Sequence, residues 1–161
     1  MTVFVPLTLD DVRRLRATGS LADVVGYAPG PALRGWLEAG RAGDGRLEDE
    51  EVDYVALTHA GVAALTQDDG APSRLVVAVE REALDGDALG AVRLDRLDWT
   101  DVRSLFADEA GAGSAVAAAR AAVRGQTLGT ALSDPAVEEL QDAYDLLWYA
   151  PDELDSLLAT T

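Results

Sequence analysis

Three apolar, strand-like runs follow one another in the middle of the chain, and the chain between them is too short to hold a crossover helix. Leu75 to Val79 reads Leu-Val-Val-Ala-Val, a β-branched run suited to a buried central strand. Asp85-Gly86 marks a turn, Ala91 to Leu97 alternates like a half-buried strand, and Val102 to Phe106 makes another. Parallel neighbours need a connection of a dozen or more residues, usually a helix. The three runs are therefore expected as an antiparallel meander. Thr2 to Leu7 is a further strand, with Val3, Phe4 and Val5 favouring extended backbone. Pro6 cannot donate to a ladder, so this strand ends there or sits at an edge.

Helical spacing fills most of the remainder. Thr8 and Asp11 have the spacing of a capping box, and Leu9, Val12 and Leu15 recur on one face until Gly19. Pro31 opens a short segment anchored by Trp36 and Leu37. Asp49 is expected to cap a longer helix with Val52, Val55, His59 and Val62 on one stripe, ended by Asp68, Asp69, Gly70 and Pro72. An Ala-rich helix runs from Gly113 to a stop at Gly125, and Gln126 to Ser133 reads as a loop. Asp134 and Pro135 start another helix with Val137, Leu140, Tyr144 and Leu147 inward. Leu146 to Tyr149 fits either the end of that helix or a last strand. The expected architecture is α+β: a mostly antiparallel sheet of three to five strands with helices packed on one face. At 161 residues, the chain is expected to form a single domain over residues 1–161.

Composition narrows the chemistry. There is no cysteine, which removes disulfides, thiolate metal sites and a thiol nucleophile. His59 is the only histidine. All 13 basic residues are Arg, and Lys, Ile and Asn are absent, the mark of a GC-rich genome. Against 29 Asp and Glu they leave a net charge of −16. Such a chain is expected to bind neither nucleic acid, whose phosphates call for basic side chains, nor anionic membrane surfaces. With no basic, apolar leader in Met1 to Asp11 and no apolar run near ~20 residues, a cytoplasmic location is expected.

Few side chains offer catalytic chemistry. His59 titrates nearest neutrality and is the candidate accessory acid–base group, although its place on an apolar stripe also fits a core histidine. Glu48, Asp49, Glu50, Glu51 and Asp53 form the densest acidic run, but they lack calcium-loop spacing and fit an ordinary helix start. Gly111-Ala112-Gly113 opens a helix after a strand, yet Asp108 and Glu109 before it would repel a pyrophosphate. No cofactor and no metal site is expected. Near the end, Trp148 and Tyr149 are adjacent and cannot both enter one core from a strand. With Asp152 and Glu153 they make a candidate interaction surface.

The opening Val3-Phe4-Val5-Pro6-Leu7-Thr8-Leu9-Asp10 and the closing Leu146-Leu147-Trp148-Tyr149-Ala150 with Glu153-Leu154 resemble the end signatures of an uncharacterised family of short acidic actinobacterial proteins, classed as a domain of unknown function. The resemblance implies a bacterial cytoplasmic protein and carries no activity or site onto these residues. The leading expectation is a small acidic protein acting through contacts, as regulator, adaptor or subunit, with another protein or a second copy of itself as partner. The alternative is a carboxylate-based enzyme of unknown substrate, with or without Mg, assisted by His59.

Overall fold

The computed structural model describes residues 1–43, 45–67 and 69–159. Its elements, in chain order, are β1 (Thr2–Pro6), α1 (Leu9–Thr18), β2 (Ser20–Tyr27), α2 (Pro31–Gly40), α3 (Asp49–Thr66), β3 (Leu75–Glu80), β4 (Ala91–Asp98), β5 (Val102–Ala107), α4 (Gly113–Val123), α5 (Leu128–Ala131), α6 (Pro135–Ala143), β6 (Leu147–Tyr149) and α7 (Leu154–Ala159). The strands form one antiparallel sheet in the order β4-β2-β1-β3-β5-β6.

Six strands exceed the expected three to five, because β2 carries no clean alternation in its sequence. Its cause is Asp23, a non-glycine residue at φ +51°. An L residue in the left-handed region interrupts the pleat and shifts which residues face the core. Leu21 and Val24, three positions apart, accordingly enter the same core, and so do Leu94 and Leu97 opposite them on β4. The apolar pattern of β2 is therefore broken at its centre.

The expected meander is not formed either. β3 pairs with β1 and β5, whereas β4 crosses to the far edge and pairs along β2 from Ser20↔Asp98 to Tyr27↔Ala91. β1 does lie beside one of the three expected strands, with Val3 opposite Val79 and Val5 opposite Val77. The β2–β4 ribbon feeds the same core, with Leu21, Leu94 and Leu97 packed among Val3, Val5, Val77 and Val79. Gly26 permits this packing: a Cβ there would stand 2.5 Å from Val3 Cγ1.

Helices cover both faces, not one. Val12 and Leu15 of α1 and Leu154 of α7 pack with Val3, Val5 and Val77, while Val52, Ala56, Ala60 and Ala63 of α3 pack with Phe4, Val76 and Ala78. Alternation along β1 and β3 sends neighbouring side chains to opposite faces, so two central strands feed two cores. A third cluster joins Val62 and Leu65 of α3 to Val116 and Ala119 of α4 and to Val137 and Leu140 of α6. The expected Thr8–Asp11 capping box is present. Glu48, not Asp49, is the N-cap of α3, and Asp68, expected among the residues ending that helix, lies outside the described residues. The expected loop Gln126 to Ser133 contains α5, whose N-cap Thr127 accepts from Thr130 N. α6 stops at Ala143, so Tyr144 is its C-cap and Leu147 belongs to a strand.

Candidate functional site

β6 settles the ambiguity at Leu146 to Tyr149 as a strand, and it forms an edge of the sheet beside β5. Its register is Leu105↔Tyr149, Phe106↔Trp148 and Ala107↔Leu147. Cross-strand partners share a face, so Tyr149 and Leu147 lie on the side of Leu105 and Ala107, and Trp148 on the side of Phe106. α3 covers the Phe106 face farther in, but coverage does not reach the edge. Trp148 is 62% exposed and Leu147 41%. Tyr149 is partly buried against the first core.

On the Tyr149 side is a cavity of about 370 Å³, lined by Pro72, Ser73, Leu75, Ala107, Asp108, Glu109, Ala110, Tyr149, Glu153, Ser156 and Leu157. Its floor is held by a buried ion pair. Arg74 donates from Nε and Nη2 to both Asp108 carboxylate oxygens at 2.6–3.2 Å, and its backbone N–H donates to Asp108 Oδ2 at 2.8 Å. Arg74 Nη2 also donates to Tyr144 O, linking the floor to the end of α6. Asp108 N donates to Ser73 Oγ at 2.9 Å. Arg120 donates to the carbonyls of Ala64, Ala71 and Ser73. Burial pushes the Arg120 guanidinium pKa down, while Asp69 and Asp108 pull it back up. These two buried arginines satisfy backbone carbonyls that no ladder reaches.

The expected interaction residues do not form one patch. Tyr149 and Glu153 meet at the cavity, Trp148 stands on the other face, and Asp152 lines a separate shallow pocket with Arg16, Trp99, Pro151 and Asp155. Glu153 Oε2 accepts from Ala150 N at 2.7 Å, which fixes the turn between β6 and α7. The sequence reading put Leu147 on the inward face of a helix and Glu109 before a turn, and it missed the Arg74–Asp108 pair.

His59 is buried on α3. Its Nδ1–H donates to Leu89 O at 2.8 Å, and its ring meets Trp36 edge-on at 5.7 Å. Burial pushes its pKa below the ordinary 6.5, against the Leu89 bond and Asp87. In the acidic run, Asp49 pairs with Arg34 at 2.5 Å and Glu51 with Arg41 at 3.5 Å. Burial, then Asp49 and Glu50, push the Asp53 carboxyl pKa up. Among the described residues no three His, Asp or Glu side chains are grouped to hold a metal ion. No described helix is long and apolar enough to cross a membrane.

Charge is unevenly placed along the chain. No basic residue follows Arg124, whereas eight carboxylates do: Asp134, Glu138, Glu139, Asp142, Asp145, Asp152, Glu153 and Asp155. The β6 edge is thus built from the acidic end of an acidic protein.

No curated protein and no solved structure matches the chain significantly. A family described as of unknown function, DUF6912, matches residues 1–158. The residues of β1 and β6 that carried the sequence resemblance lie within that match, and the chain belongs to this family of unknown function.

Proposed function

We propose that the protein works through protein–protein contact, as a regulator, adaptor or subunit, and that the β6 edge is its docking surface. The observation that carries this reading is Trp148, a large aromatic ring 62% exposed on an edge strand. An edge strand offers backbone donors and acceptors to an incoming strand, and an exposed Trp beside it supplies the desolvated anchor that interfaces favour. Only three residues long, β6 is too short to be a strong aggregation template, which suits a regulated contact.

Affinity capture from the native cell extract tests the reading, with the wild type, Trp148→Ala and a Val25→Ala control compared. Val25 is also exposed, but it lies on β2, toward the opposite end of the sheet. A defined partner is expected to be retained by the wild type and the control and reduced at least about tenfold by Trp148→Ala, the loss typical of an anchor residue. An identical captured set from all three proteins would overturn the assignment of β6.

A further inference from the structure

The two sides of β6 differ in chemistry, and a strand added along β6 must face both. Side chains of an extended segment alternate between the faces of the sheet it joins. One set would lie on the Trp148 side; the other would leave on the Tyr149 side, where the cavity opens beside Glu109 and Glu153. The cavity walls are apolar at Pro72, Leu75 and Ala107, so they suit an aliphatic stem. Among the described residues neither Glu109 nor Glu153 forms an ion pair. Arg74 is buried and already engaged by Asp108 and Tyr144 O. A neutral apolar side chain would desolvate the two carboxylates without compensation, and an acidic one would be repelled. A long basic side chain satisfies both requirements, with its stem on the walls and its charge at the carboxylates.

We infer that the partner presents an extended basic segment, which pairs along β6 with a Lys or Arg side chain lodged in the Glu109–Glu153 cavity and its sequence neighbour against Trp148. This rests on β6 being the docking edge. With a net charge of −16 on the chain and no basic residue in the sequence after Arg124, encounter with a basic segment is electrostatically steered.

Fluorescence anisotropy with two dye-labelled ten-residue peptides tests it, one alternating Arg and Val, the other Gln and Val. Three proteins are compared: the wild type, Glu109→Gln/Glu153→Gln and Trp148→Ala. The Gln at 153 keeps a carbonyl oxygen for Ala150 N, so the turn is preserved. The wild type is expected to prefer the Arg peptide by about tenfold or more, a preference that falls with salt. The double variant should lose that preference, and Trp148→Ala should weaken both peptides. Equal binding of the two peptides by the wild type, absence of binding, or a preference retained by the double variant overturns the basic-segment inference. In each of those outcomes docking at β6 is judged separately, by the capture experiment. If Trp148→Ala leaves both affinities unchanged, the docking edge itself is wrong and the inference falls with it.

Discussion

His59 shows how a single side chain can look chemical in sequence and be structural in place. The Leu89 carbonyl only accepts, so Nδ1 carries the proton of a neutral imidazole. Because burial lowers its pKa below 6.5, the unfolded chain binds a proton at a pH where the folded chain does not. Its contribution to stability is therefore complete above about pH 6.5 and declines as pH falls toward the folded pKa. Urea midpoints measured from pH 7.5 downward should fall more steeply for the wild type than for His59→Gln, whose amide can still donate to Leu89 O. Parallel curves would contradict this. The place of His59 among valines was legible in the sequence, since its stripe already favoured a packed role. Arg74, Asp108 and Arg120 were not legible, because nothing in their local sequence separates a buried arginine from a solvated one.

At the level of elements, the decisive position is Gly26, where β2 passes against β1. A methyl group there would stand 2.5 Å from Val3 Cγ1, 3.1 Å from Val5 Cγ2 and 3.3 Å from Phe4 O. The valines are buried and the carbonyl is backbone, so neither yields easily. Gly26→Ala should cost about 1–3 kcal/mol, the range for overpacking a filled core, while Gly35→Ala, with open space around it, should not destabilise. Chemical denaturation of the two variants checks this. β1, β3, β4, β5 and most helices were readable from periodicity and caps. β2 was not, because Asp23 shifts its alternation, and the pairing of β4 with β2 could not be read while β2 was missing. For β6 the sequence left helix and strand open, and pairing with β5 decided between them.

For the molecule as a whole, charge is the dominant feature. A net −16 on 161 residues repels itself most strongly where counterions are scarce. Raising salt from about 10 mM to about 200 mM shortens the screening length several-fold, so Tm should rise across that range. A fall in Tm would mean that ion pairs such as Arg34–Asp49 outweigh the repulsion. The α+β class and the antiparallel sheet followed from strand spacing alone. The burial of the sheet on both sides did not, because strand alternation tells which residues turn inward without telling that both directions are inward. The acidic cavity beside β6 was equally hidden, since residues 72–75, 107–110 and 149–157 meet only through the fold.

Leu154, rooted in the first core one turn after β6, has one more consequence. The turn and helix that follow β6 are pinned behind its exposed rim, so the rim is preorganised. A visitor would find it ready, with no ordering of the host to delay capture. The β6 amides that donate to β5 should accordingly resist hydrogen exchange in the free protein, and association should be limited by collision and orientation rather than by a folding step.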